Sequence, residues 1–211
     1  MSVKLEVWGE YACFTRPETK AERMSYEAMT PSAARGILEA IHWKPEIRWV
    51  VDEIHVLNPI KWMSIRRNEV AGKASANSAI YIEDQRQQRS TLLLRDVRYG
   101  IVAHFDLLPS HQPGMEDEAT NLSEKHLSIF KRRAAKGQHF HQPYLGCREF
   151  AANYRLATEG FSPCRLPVGQ RNRDLGWMLY DLTWPDTQAM VFHAQLVNGV
   201  IDVPALRRLA Q

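Results

Sequence analysis

At 211 residues the chain is long enough for one sizeable domain with a small appendage, and its 45% hydrophobic and 24% charged content is that of a soluble globular protein. No run of about 18 apolar residues is present to cross a membrane, and the start MSVKLEVWGEYACF alternates like a strand rather than reading as a signal peptide. Cys13, Cys147 and Cys164 are scattered without a C-x-x-C pair, which points to a reducing cytoplasm and excludes a disulfide framework and a cysteine zinc site.

Val3, Leu5 and Val7 alternate with Lys4, Glu6 and Trp8, which predicts a first strand. After a charged, aromatic loop over 9–29, Thr30 caps a helix that has Pro31 at its first position and Ala34, Ile37, Leu38 and Ile41 as its apolar stripe. Pro45 prevents that helix from continuing, so His42, Trp43 and Lys44 lie at its exit. IRWVVDEIHVL (47–57) reads as a second strand. Residues 60–90 form a polar excursion, an inserted ribbon in which Ala79–Ile82 is a short strand candidate. Thr91–Leu94 and Val97–Leu107 are strand-like.

An acidic, proline-containing loop is predicted over 109–120, holding His111 and the run Glu116-Asp117-Glu118. A second helix follows, with Ser123 as its N-cap, Leu127, Phe130 and Ala134 as its buried face and Gly137 just beyond its end. Tyr144–Leu156 is expected as a further core strand in which Gly146 permits a bulge. Beyond a turn-rich stretch come strands at 176–182, 190–197 and 200–203, with Asn198-Gly199 as a hairpin signal between the last two. The order β-α-β-β-α-β gives an α+β fold: a ferredoxin-like (RRM-like) domain over 1–156 carrying the 60–90 ribbon, then a small antiparallel β-hairpin region over 157–211. Such sheets often bind single-stranded RNA on an open face.

The net charge of +3 is unevenly placed. Between Glu124 and Asp174 ten Lys/Arg stand against four acids, a local excess of +6. That is the footprint of a polyanion, and equally that of a solvated surface. Lys125-His126 sits where the first turn of the second helix is expected. There, free N–H groups and the positive end of the dipole suit a phosphate. An imidazole can serve as acid or base near neutral pH, and the adjacent ammonium can stabilise the charge growing on a phosphorane. His42 is the second imidazole, because the exits and entries of two helices in this fold can converge at one end of the sheet. Cleavage of RNA by its own 2′-hydroxyl needs one group to accept that proton and another to protonate the departing 5′-oxygen. Lys131, Arg132, Arg133, Lys136, Lys44 and the ribbon residues Arg66 and Arg67 are the candidate phosphate holders. His139 and His141 have no acidic or thiolate neighbour and read as facing RNA or solvent, while His55, His104 and His193 lie in strands as structural residues. Trp43, Trp49, Trp62 and Tyr81 are candidates for stacking on bases or for the core. Neither G-x-x-x-x-G-K-[ST] nor G-x-G-x-x-G occurs, so ATP- and NAD-driven chemistry has no support, and neither a cofactor nor a metal is expected.

The blocks GEYACFTRPETKAERMSYEAMTPSAARGILEAIHWKPEIRWVVDEIHVLNPI, RDVRYGIVAHFDL, EKHLSIFKRRAAKGQ and YLGCREF occur in this order over most of residues 1–150. Together they resemble the CRISPR-associated repeat-processing endoribonuclease of the type I-C (Dvulg) system, the "d" variety of the fifth Cas family. The resemblance implies a ferredoxin-fold protein of the repeat-associated mysterious protein group, acting in the cytoplasm. It implies binding of the CRISPR repeat RNA hairpin and metal-free cleavage at the base of its stem, leaving a 2′,3′-cyclic phosphate. It also implies retention on the 5′ handle of the guide RNA, among the other subunits of the type I-C surveillance complex. The family's Lys-His pair falls on Lys125 and His126. The family's catalytic tyrosine before W-K-P is replaced by His42, whose reference pKa of about 6.5, against about 10 for tyrosine, suits a general base; Tyr11 or Tyr26 is the other candidate for part of that role. A non-catalytic subunit that caps the guide's 5′ end, or one that binds nucleic acid more broadly, duplex DNA included, would use the same charges.

Overall fold

The computed structural model describes residues 2–19, 21–73, 75, 79–108, 116–183, 185 and 188–203, with 116–120 described for backbone alone. The chain builds one antiparallel sheet from β1 (Val3–Ala12), β2 (Ile47–Val56), β3 (Trp62–Val70), β4 (Arg86–Leu107), β5 (Asn153–Leu156) and β8 (Val200–Asp202). Its order is β5-β1-β4-β2-β8, with β3 also pairing along β4. A second, two-stranded sheet joins β6 (Arg173–Leu182) to β7 (Ala189–Leu196). The helices are α1 (Pro31–Ile41), a single turn α2 (Ile82–Gln85) and α3 (Glu116–Ala135). Among the described residues no helix is long and apolar enough to cross a membrane.

The first helix forms as its sequence dictates. Thr30 stays extended and its hydroxyl accepts from the Ala33 N–H, Pro31 occupies the first position, and Ala34, Ile37, Leu38 and Ile41 are buried. His42 is its C-cap, extended, with its N–H on the Leu38 carbonyl. Alternation on β1, β2 and β4 places Val3, Leu5, Val7, Trp49, Ile101 and Ala103 in the core. Trp49 fastens the strand to the helix exit: its indole N–H donates to the His42 carbonyl at 2.7 Å, and its ring packs against Phe105 and Phe130.

The structure departs from the sequence-based expectations at several elements. The third helix begins at Glu116, not after Ser123, because Glu116, Asp117 and Glu118 suit the positive end of a helix dipole as well as they suit a solvated loop. The two strands expected over 91–107 are one strand of 22 residues, which runs on from the ribbon through a left-handed Asp96. Residues 79–81 carry no strand and Ile82 opens α2. Of the span 144–156 only Asn153–Leu156 is a strand, with a single bridge from Tyr144 to Ala151. Gly146, at φ +85°, is a close crossing rather than a bulge: a Cβ there would lie 2.1 Å from the Cys13 carbonyl oxygen. Asn198 and Gly199 form the expected tight two-residue turn, both with positive φ and closed by the antiparallel bridge of Val197 with Val200, but beyond it β7 pairs with β6 while β8 pairs with β2. That turn carries the chain from the small sheet back to the large one.

Candidate active site

The exit of α1 and the middle of α3 meet at the end of the sheet where Trp49 pairs with Phe105. There His42 Nε2 and His126 Nδ1 are 3.0 Å apart in a buried hydrogen bond, the rings tilted and their centres 5.3 Å apart. Phe105 stands edge-on to His126, and Arg133 reaches across from α3 to donate to the Ile41 carbonyl at 2.9 Å. The two histidines that the sequence proposed as partners, 84 residues apart, are therefore in contact.

Their surroundings differ from the expected first turn. Because α3 starts at Glu116, Lys125 and His126 lie mid-helix, about 100° apart around the axis, with Lys125 exposed and His126 2% exposed. Phosphate binding at a helix N-terminus is thus not available to this pair. His42 is 1% exposed. Burial, then the charges of His126, Arg133 and Lys44, lower the His42 imidazole to about 4 against an opposing pull from Glu46. Burial lowers His126 too, with Lys125 and Lys44 adding to it and Glu46 opposing. Both rings are therefore neutral at pH 7.

Two neutral imidazoles sharing one hydrogen bond must hold complementary tautomers: one donates, the other accepts. Their outer nitrogens, His42 Nδ1 and His126 Nε2, are buried and hydrogen-bonded to nothing among the described residues. One must then carry a proton and the other a lone pair. An acid and a base exist together in this pair with no net charge.

The remaining candidates divide by location. Lys131 and Arg132 are exposed on the last turns of α3 and Lys136 just beyond its end, Lys44 is exposed beside His42, and Arg133 is half-buried against α1. Arg66 and Arg67 lie elsewhere: they pair with Ser90 and Arg89 on β4, fifteen or more residues from Phe105, at most about 50 Å along the strand. Arg67 is further engaged by Thr91, Glu69 and Glu149. Tyr11 packs on Phe150, and Tyr26 is buried beneath the Arg16 guanidinium, so the contacts of both lie away from the histidines. His55, His104 and His193 hydrogen-bond or ion-pair with Glu53, Asp52 and Asp174. His139 meets the Tyr154 hydroxyl, and His111 falls outside the described residues. Trp49 is core; Trp43, Trp62 and Tyr81 are exposed.

Sequence reasoning missed two features here. Glu46, between Pro45 and β2, lies within electrostatic reach of both imidazoles, and no periodicity marks it. The Cys147 thiol donates to the Cys13 carbonyl at 3.5 Å, both sulfurs meet the Thr15 hydroxyl, and Arg23 donates to the Cys147 sulfur at 3.5 Å. The neighbouring Cys13 side chain is the largest influence holding the Cys147 thiol below its ordinary range. A separation of 134 residues hid that pair.

A family profile described as CRISPR-associated protein (Cas_Cas5), of the Cas5d kind, matches residues 2–204. The chain is similar to the CRISPR pre-crRNA endoribonuclease Cas5d of Mannheimia succiniciproducens, with 47% identity over 218 residues, 96% of this chain and 94% of that one. It is similar to the protein of that name from Thermus thermophilus, with 42% identity over 223 residues, 96% of this chain and 91% of that one. Among solved structures it is similar to one described as a CRISPR-associated protein, at 26% identity and a TM-score of 0.69, covering 96% of this chain and 91% of that one.

Proposed function

Because this chain belongs to the CRISPR-associated Cas5 family, in its Cas5d branch, we propose that it is an endoribonuclease that cleaves the CRISPR repeat transcript by attack of the RNA's own 2′-hydroxyl. Two relatives at 42–47% identity are CRISPR pre-crRNA endoribonucleases, which supports the reaction class. The contact between His42 Nε2 and His126 Nδ1 carries the assignment of the site. One outer nitrogen accepts the 2′-OH proton, the shared proton crosses between the rings, and the other outer nitrogen delivers a proton to the departing 5′-oxygen. The pair begins and ends neutral with its tautomers exchanged, and the products are a 2′,3′-cyclic phosphate and a free 5′-hydroxyl. Lys125 lies one residue from the base-acid pair and stabilises the phosphorane from the exposed side of α3, while Lys44, Lys131, Arg132, Arg133 and Lys136 hold flanking phosphates. No metal enters this scheme, because acid and base both come from imidazole.

The strand order β5-β1-β4-β2, with α1 and α3 as crossovers, supports a ferredoxin-like domain over 1–156, and the β6–β7 sheet supports a small C-terminal region over 157–211. Retention on the 5′ handle of the guide, among the other subunits of a surveillance complex in the cytoplasm, is part of this reading.

The near-complete burial of both imidazoles favours one alternative. In it the histidine pair is structural, the chain holds the guide passively, and catalysis lies elsewhere. Pure protein incubated in EDTA with labelled repeat hairpin, and with the same hairpin bearing a 2′-deoxy sugar at the cut site, separates the two. The first RNA is cut and the second survives under the catalytic reading. His126→Ala cutting at the wild-type rate, or a strict need for Mg²⁺, refutes it. Tight binding without product supports the passive holder.

A further inference from the structure

Phe140 is 87% exposed, the most exposed large hydrophobic side chain among the described residues, and Trp43 is 53% exposed. Neither ring is displayed by a loose loop. Gly137, at φ +66°, ends α3, with the Gln138 N–H returning to the Arg133 carbonyl at 2.9 Å. The Phe140 N–H then donates to the Ala40 carbonyl at 2.8 Å; beyond it the Pro143 carbonyl accepts from the Ala152 N–H at 2.8 Å, and the Gln142 side-chain amide donates to the Ala152 carbonyl at 3.1 Å. The backbone on both sides of Phe140 is thus tied down while its ring is offered to solvent. Ala40 lies two residues before His42, and Trp43 directly follows it. Two exposed aromatic residues are therefore anchored within two residues of His42, one by chain adjacency and one by a backbone bond.

The charges around them are mostly cationic. Arg132 lies on the last turn of α3, Lys136 just beyond its end, and Lys44 follows Trp43. Two acids oppose them: Glu39 on α1, within electrostatic reach of His141, and Glu46, near the histidine pair. We propose that Phe140 and Trp43 form a stacking platform for an unpaired nucleobase of the RNA next to the linkage that is cut. Flat exposed rings among cations fit a base with its phosphates, as in proteins that bind single-stranded RNA. In-line attack by a 2′-hydroxyl also requires the flanking nucleotide to leave the helical stack, and a ring that receives its base holds that geometry open. The inference rests on the proposed reaction at His42 and His126, and deepens it by naming what positions the substrate.

The test measures Kd for repeat RNA made uncleavable by one 2′-deoxy sugar, with an abasic nucleotide stepped through the positions flanking the cut. One abasic position weakens the wild-type protein about 5- to 100-fold, the range for loss of one base–aromatic stack. Phe140→Ala weakens binding of intact RNA by a similar factor and is then indifferent to that abasic site, whereas Phe140→Tyr restores both affinity and sensitivity. An exposed ring leaves no cavity when truncated, so the variants fold. Independent, multiplying losses, or unchanged affinity in Phe140→Ala and Trp43→Ala, overturn the platform. Cleavage of the all-ribose RNA is scored separately: coupling without cleavage supports the platform and sinks the reading of the reaction.

Discussion

Acidification acts directly on the His42–His126 pair, and its effect on stability follows from the fold. The His42 imidazole is lowered to about 4 in the folded chain, by burial first and then by the charges of His126, Arg133 and Lys44, with Glu46 opposing. In the unfolded chain it returns to about 6.5. Between those values the unfolded state binds more protons than the folded one, so stability rises with pH across the window and falls as acid is added. Integrated from pH 7.5 down to pH 4.5, that linkage removes about 2 to 3 kcal/mol from this one ring. His126 is displaced in the same direction and adds to the loss. Urea unfolding at four pH values, for the wild type and for His42→Phe, isolates the contribution, since the carboxylates common to both proteins cancel in the difference. At pH 7.5 His42→Phe is the less stable by about 1 kcal/mol, because His126 Nδ1 loses its partner. By pH 4.5 the order reverses. Parallel pH profiles in the two proteins would refute the idea that His42 is held neutral.

Three further outcomes follow from named contacts. Gly146→Ala places a methyl 2.1 Å from a backbone oxygen at φ +85°, and destabilises the chain by more than about 3 kcal/mol or prevents folding, read by calorimetry and soluble yield. Glu6, 0% exposed, is raised by burial but more strongly lowered by donors from Ser162, Arg98 and Arg155, which leaves it ionised. Glu6→Gln lowers the melting temperature by about 4–8 °C at pH 7, since both arginines stay partly solvated and the loss is about 2 kcal/mol, and the gap narrows as pH falls. Lys136→Ala makes the log Kd against log salt plot for single-stranded repeat RNA shallower by about 0.7, whereas an unchanged slope removes Lys136 from the phosphate contacts.

Where the local chemistry has only one solution, the sequence was legible. Thr30, Pro31 and Pro45 bound α1 with a cap, a first-turn proline and a stop, and the observed helix ends at Ile41 with His42 capping it. His42 does meet His126, though at the exit of α1 and the middle of α3 rather than at a helix entry. What failed were stretches with two physical readings. A run of acids is a solvated loop or a helix start, and α3 took the latter, moving Lys125 and His126 to mid-helix and His126 into the interior. Arg66 and Arg67 shared a charge with the α3 cations but not a location, since charge carries no information about which end of β4 a ribbon occupies. Phe140 offered no periodicity to read, and its exposure depends on a bond to Ala40 across 100 residues of chain.

One covalent strand, β4, pairs with β3 from residue 86 and with β2 as far as Leu107. At about 3.3 Å per residue its 22 residues reach at most about 70 Å, longer than the body of a domain this size is wide. An extended backbone hardly stretches, so this strand works as a measuring rod. A ligand gripped at the Arg86 end of β4 and at the histidine end together would have its length set by the protein before any base was read.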